Sequence, residues 1–215
     1  MILSLLLSAT LQTVYMVFVA SVLAILVGVP LGTILYVTRK QHILEHPLLN
    51  SVLSAIVNMT RSIPFVILMI AVIPLTRAIT GSSIGTNAAI VPLSIAAMPF
   101  LARVVESALL EVNKGLIEAA TAMGATSGQI IGKVLLPEAL PGIMNGLTLT
   151  IISLIGYSAM AGAVGGGGLG DLAIRYGYQR FDVSVMLITI AIMIIFVQAV
   201  QYFGDKIAKK LTHSR

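Results

Sequence analysis

The first 38 residues, Met1 to Thr38, contain no Asp, Glu, Lys, Arg or His. About 20 apolar residues wound as a helix already match a bilayer core about 30 Å thick, so this run alone excludes an ordinary water-soluble domain. The rest of the chain agrees: 58% of its 215 residues are hydrophobic and 10% charged, where soluble domains carry about 25% charged residues. Its apolar runs are continuous and do not alternate, so the spanning elements are helices and not the strands of a closed barrel. The N-terminal MILSLLLSAT has no basic stretch and its apolar run continues far past residue 10. It therefore does not read as a cleaved signal.

Taking the apolar runs as helices gives an all-α integral membrane protein with five transmembrane helices, at roughly residues 10–38, 48–76, 86–104, 141–163 and 183–204. Arg39 and Lys40 follow the first span, Lys114 and Lys133 lie between the third and fourth, and Lys206, Lys209, Lys210 and Arg215 follow the fifth. Arg77, Arg175 and Arg180 fall on the other side. The positive-inside rule then predicts the N-terminus outside and the C-terminus in the cytoplasm, with the segment 116–142 cytoplasmic. The net charge of +5 sits in these flanks, which points to membrane lipid and not to nucleic acid as the surrounding partner.

No internal repeat or low-complexity tail is present, so residues 1–215 read as a single transmembrane domain. The chain has no cysteine, which removes disulfides and thiolate metal ligands. Prolines at 30, 64, 74, 92 and 99 each free a carbonyl one turn earlier, which in lipid must find a neighbour, a side chain or water. Bent helices lining a polar route use such breaks, although transmembrane helices also tolerate proline without one.

Three short motifs fail on context. HILEH, His42 to His46, matches H-x-x-E-H, but Pro47 follows at once and the only other histidine is His213; the segment reads as a solvated interfacial turn, with no metal site. GGGGLG, Gly165 to Gly170, formally fits G-x-G-x-x-G, yet a membrane helix precedes it where the dinucleotide fold needs a strand. It reads as a re-entrant or connecting loop whose glycines permit a tight backbone path. Gly132-Lys133 falls short of a P-loop, because Ser127 stands at the first glycine position and Val134 at the Ser/Thr position. The chain thus carries no nucleotide site, and no nucleophile–base set can be assembled in its spans.

The longest stretch unsuited to lipid is LIEAATAMGATSGQIIGKVLLPEALPG, Leu116 to Gly142. Asn113 is a natural N-cap, Leu116, Ala120 and Met123 share one helical face, and Gly124 ends the helix. Thr126 and Gln129 form a capping box that starts a second short helix, expected to stop before Pro137. Ala119, Ala120 and Ala125 keep the surface low, so two short helices make a docking knob that a partner backbone can approach. An amphipathic hairpin on the bilayer surface is the alternative, but basic residues are sparse on its polar face.

Glu118-Ala119-Ala120, three residues, Gly124, nine residues, Val134, then Leu136-Pro137 resembles the E-A-A-x3-G-x9-I-x-L-P signature of ABC-importer permeases, departing only in Val134. Further stretches, RSIPF (Arg61 to Phe65), RVVESALLEV (Arg103 to Val112) and GYSAMAGAVGGGGLGDLAIRYGYQRF (Gly156 to Phe181), are similar to the permeases of methionine uptake systems. The resemblance covers nearly the whole chain.

It implies a type I ABC importer permease-like fold in the bacterial inner membrane, working as a homodimer. The coupling region, about residues 111–142, would sit in a groove of a separate ATPase subunit, present in two copies, through Glu118, Ala119, Ala120, Gly124, Leu136 and Pro137. ATP and magnesium would be bound by that partner, leaving this chain non-catalytic and without cofactor or metal. A periplasmic or lipid-anchored binding protein would deliver the substrate.

For the route itself, Arg61 lies about midway along the second span, where a cation costs about 2.5–3.5 kcal/mol and usually faces protein or water. It faces the route or the dimer axis, or it satisfies carbonyls freed by Pro64. Met160, with Tyr157 and Ser158, lies near the outer end of the fourth span, where an adaptable thioether suits a gate; packing against lipid or core is the plainer alternative. Glu118 complements the start of its helix or meets a basic partner group. Asp171, Arg175 and Arg180 are candidate contacts for the binding protein. Other cargo, another amino acid or a quaternary amine, fits the same coupling signature. An ion-coupled carrier would need several ionisable groups at mid-membrane, where Arg61 is nearly alone.

Overall fold

A computed structural model describes residues 2–213. Met1, Ser214 and Arg215 lie outside the described residues, so the contribution of Arg215 to the topology, and the extreme ends of the 1–215 domain, are not described. The regular elements among the described residues are helical: α1 (Ile2–Val37), α2 (Pro47–Ser62), α3 (Phe65–Ala71), α4 (Ile73–Thr80), α5 (Thr86–Leu110), α6 (Lys114–Ala122), α7 (Ser127–Gly166), α8 (Gly168–Leu172, continued by a wide turn Ala173–Tyr178) and α9 (Val183–His213). Among them α1, α5, α7 and α9 are long and apolar enough to cross a membrane, and the bent pair α2 and α3 makes a fifth.

Three expected boundaries need correction. The first span begins at Ile2 and not near residue 10, because residues 2–9 contain no breaker and Leu6 and Ala9 pack against Leu169, Leu172 and Val185. The second is not a continuous helix over 48–76. It stops at Ser62, turns by 105° and restarts at Phe65. Pro64 disfavours helical geometry at the residue before it, and Ile63 is accordingly extended at φ −80°, ψ 124°.

The third correction concerns the two-helix knob expected over residues 116–142. Its second helix does not end before Pro137 but runs on from Ser127 into the membrane as one helix ending at Gly166. A wide π turn, Ile131–Leu135, makes this possible: the Leu136 N–H donates five residues back to the Ile131 carbonyl. That turn opens space just before a proline whose ring would otherwise collide with a carbonyl one turn earlier. Pro30, Pro92, Pro99 and Pro141 likewise lie inside continuous helices.

In lipid the burial of apolar surface does not drive helix association, so close packing of small residues does much of the work. α5 is the central helix, with α1 along one side and α7 along the other, while α9 packs on α7. Gly32 lets α1 touch α5 backbone to backbone, since a Cβ there would overlap the Ala102 carbonyl oxygen. Gly204 lets α9 settle onto the Thr148 side chain of α7, which a Cβ there would overlap. Buried hydroxyls bond back within their own helices, as Ser21 donates to Val17 O at 2.6 Å and Thr150 to Gly146 O at 2.8 Å. No bare polar group is thereby left to the bilayer at these positions.

The basic flanks gather at one end of the molecule. Lys40 from the end of α1 and Lys114 from the start of α6 line one cleft, and Asp205 and Lys209 of α9 line another with Asn145 of α7. HILEH forms the turn between α1 and α2 at this basic end, with the His46 ring accepting from Leu49 N–H at 3.2 Å as the cap of α2. The glycine-rich segment lies at the other end, where Gly165 O accepts from Gly85 N–H at the start of α5, at 2.9 Å.

Candidate coupling and translocation site

At the basic end, α6 is held by backbone capping at both ends. Asn113 Oδ1 accepts from Gly115 N–H at 2.9 Å. Beyond Met123 the chain turns at Gly124, φ 79°, with Gly124 N–H donating to Thr121 O at 2.9 Å and Ala125 N–H to Ala120 O at 3.1 Å. These are the paired bonds of a Schellman cap, which needs a left-handed residue where glycine carries no Cβ penalty. Immediately after it, Thr126 N–H donates to Gln129 Oε1 at 2.9 Å and Gln129 N–H to Thr126 Oγ1 at 3.4 Å. The capping box read from the sequence is present.

The faces of α6 differ from expectation. Ala120 is buried at 4% exposure in the core cluster that includes Val112, Ile130 and Leu135. Its small side chain therefore brings α6 close to its own protein and leaves nothing for a partner. Leu116 and Met123, expected on the same face as Ala120, are exposed, Met123 by 81%. Ile117 packs inward in their place. Ala119 and Gly124 are exposed, Leu136 is half-buried and Pro137 exposed. Glu118 is exposed and falls after the first turn of α6, so it does not cap the helix dipole as expected; it lines a cleft with Lys40, His42 and Lys114.

Just above this end lies a buried ion triad that the sequence reading missed. Glu106 of α5, 4% exposed, accepts from Arg39 at 3.3 Å through one carboxylate oxygen and from Arg103 at 2.5 Å through the other. Arg103 also donates to the Ser54 carbonyl of α2 at 3.2 Å. One carboxylate thus ties α1, α2 and α5 together. The signal was available: an acid near the end of an apolar helix with an arginine three residues before it.

The bend between α2 and α3 builds the second part of the site. Arg61 stands one residue before the end of α2, not mid-helix, and it is exposed. It lines a cavity of about 230 Å³ with Thr60, Phe65, Leu68, Phe100 and Tyr157. Its guanidinium lies 5.8 Å from the Phe100 ring centroid. The rings of Phe65 and Tyr157 stack at 4.7 Å with an interplanar angle of 9°. Two of the expected route residues, Arg61 and Tyr157, therefore meet at one cavity.

The other two do not join them. Ser158 is buried at 2% exposure and donates to Ile155 O at 2.7 Å, so it faces the protein interior, contrary to expectation. Met160 is 46% exposed and does not line this cavity.

At the far end, Gly165 to Gly170, expected as a re-entrant or connecting loop, forms a tight turn that leads into a short helix. α7 kinks at Val164 and Gly165, and α8 begins at Gly168 inside the protein. The Gly168 N–H donates to Gln12 Oε1 at 2.8 Å and the Leu169 N–H to Thr13 Oγ1 at 2.9 Å, so α1 anchors this turn. A Cβ on Gly170 would overlap the Ala159 carbonyl, and one on Gly162 the Asp171 N–H. α8 therefore folds back tightly on the end of α7. Asp171 pairs with Arg175, and Arg180 lies 4.4 Å over the Tyr176 ring. Phe181 follows at φ 56°, 83% exposed.

Comparison with known proteins fits this arrangement. Residues 28–213 match the family described as binding-protein-dependent transport system inner membrane component. A relative from Vibrio cholerae, named probable D-methionine transport system permease protein MetI, is 56% identical over 97% of this chain and 93% of its own. One of the same name from Haemophilus influenzae is 52% identical over 96% of this chain and 97% of its own. Among solved structures, a chain of the MetNI methionine ABC transporter in an inward-facing conformation superposes with a TM-score of 0.95 at 51% identity, over 96% of both chains. The fold is that of a type I ABC importer permease. By its sequence match over nearly its whole length, the chain belongs to the family of binding-protein-dependent transport system inner membrane components.

Proposed function

We propose that this chain is the membrane-spanning subunit of an ATP-driven methionine importer, working as a homodimer with two copies of a separate ATPase and fed by a binding protein. The observation that carries the reading is the path of α7. This helix starts at the capped turn beside α6 and ends at the glycine turn, passing Tyr157 at the cavity on its way. Movement of the capped segment by closing ATPases is thereby delivered to the cavity and to the far end. The names of relatives at 52% and 56% identity support methionine as cargo.

In this reading the basic end is cytoplasmic, with the N-terminus outside and the C-terminus inside, because the positive-inside rule places clustered Lys and Arg there. ATP and magnesium belong to the partner, since the chain lacks a P-loop. Leu116, Glu118, Ala119, Met123 and Gly124 form the surface offered to the ATPase. Arg61, Tyr157 and Met160 belong to the route, and Arg175 and Arg180, steadied by Asp171 and Tyr176, meet the binding protein. The described conformation corresponds to the inward-facing state, to which its backbone is so similar.

The test is reconstitution of the permease, ATPase and binding protein in liposomes. Uptake of radiolabelled methionine should require ATP on the ATPase side and be competed by methionine but not by betaine or basic amino acids. Uptake that persists without ATP, or that betaine or a basic amino acid displaces instead, overturns the assignment.

A further inference from the structure

Arg61 is a route residue whose charge is unanswered among the described residues. It forms no ion pair with any described residue, and the neighbour it faces is the Phe100 ring at 5.8 Å. Charged residues in membrane spans are rare and usually line a cavity or meet a partner, and Arg61, in the bent span of α2 and α3, lines one. We infer that the cavity at the bend of α2 and α3 is a cargo-binding site in the membrane subunit, in which Arg61 takes the carboxylate of a single amino acid. This deepens the importer reading and rests on it.

Four features fit that ligand. The planar fork of arginine pairs bidentately with a carboxylate, which a lone cation–ring contact does not satisfy. No acidic side chain lines the cavity, so the site holds the carboxylate and leaves the ammonium group unrecognised. Phe65, Leu68 and Phe100 give the opposite wall an apolar, aromatic surface, and a thioether gains about 0.3–1.5 kcal/mol against an aromatic ring. At about 230 Å³, the space is below the roughly 300 Å³ at which pockets for drug-sized molecules begin. It has room for one amino acid.

The position also explains release. Arg61 stands on α2 and Phe65 on α3, on opposite sides of the bend at Pro64, while Tyr157 is on α7. A change in the bend angle separates the charged wall from the aromatic one without breaking either helix. Binding and release then follow from one hinge.

The site can be probed by arginine-selective modification with phenylglyoxal, read residue by residue by mass spectrometry on the assembled permease–ATPase complex in nanodiscs. Methionine and N-acetylmethionine should each protect Arg61 about tenfold, the size expected for a charged hydrogen bond. Methioninamide should give no protection, and the exposed Arg77 should react equally throughout. Equal reaction of Arg61 with the acids and the amide, including no reaction at all, overturns the inference. In uptake, Arg61→Gln should lose about tenfold, and Arg61→Lys, which keeps the charge but not the fork, should fall between Arg61→Gln and wild type. Equal losses in both variants together with loss of the assembled complex on a sizing column mark a role in folding and also overturn it. Failure of wild-type protein to take up methionine would instead count against the importer reading itself.

Discussion

The Tyr157 ring of α7 lies flat on the Phe65 ring of α3, 4.7 Å apart and 9° from parallel. This single contact joins the helix that begins at the coupling turn to the short helix beyond the bend. Stacked rings contribute about 0.5–1.5 kcal/mol beyond their burial. Tyr157→Phe keeps the stack and should leave uptake near wild type, whereas Tyr157→Ala should lower both the thermal stability of the assembled complex and its uptake. Unchanged uptake in Tyr157→Ala would remove the contact from the route.

Glu106 answers two arginines from a nearly closed site, its side chain 6% exposed. Breaking such a buried arrangement on one side costs about 3–5 kcal/mol, because the remaining charge is left uncompensated. With Arg39 partly in solvent, the lower figure applies. Glu106→Leu should reduce the yield of monodisperse protein and its melting temperature, and adding Arg103→Leu should restore part of the loss. A double variant no better than the single one would show that the arginine, left unpaired, is not the source of the damage.

At the capped turn, Gly124 holds φ 79° with nothing within 4 Å of the position a Cβ would take. Backbone conformation and not crowding therefore sets the cost, about 1–2 kcal/mol for an ordinary side chain. Gly124→Asn should be tolerated better than Gly124→Val. Combined with Glu118→Lys, Gly124→Val should sharply reduce the ATPase recovered with immobilised permease. Full recovery would move the docking surface elsewhere.

Thr13, 1% exposed, accepts the Leu169 N–H at 2.9 Å. Thr13→Val preserves volume but leaves that donor without a partner, at a cost of about 1–3 kcal/mol. Amide exchange at Leu169 should accelerate, with little change at positions in mid-α5. Unaltered exchange would show that Gln12 alone holds the turn.

Much of the architecture was legible because lipid allows few alternatives. Uncharged runs marked the spans, and Asn113, Gly124, Thr126 and Gln129 marked the ends of α6 and the start of α7, since capping depends on local residues only. Proline was ambiguous. Pro92 and Pro99 stay inside a continuous helix while Pro64 ends one, and no local pattern tells the two cases apart. Pro137 read as a stop because a π turn leaves no mark on apolar periodicity. Ala120 was assigned to the wrong neighbour: spacing identifies a face, but not what lies against it. Arg61 and Tyr157 are nearly a hundred residues apart, and only the fold brings them to one cavity.

The course of α7 between its two wide turns has a mechanical consequence. The 26 residues between them, Leu136–Ala161, span about 39 Å, so a tilt of about 5° about the basic end displaces the far end by about 3 Å. Small rotations imposed at the ATPase are thus amplified into a stroke wide enough to part side chains, with the wide turns at Ile131–Leu135 and Gly162–Gly166 serving as the pliant joints at either end of a stiff lever.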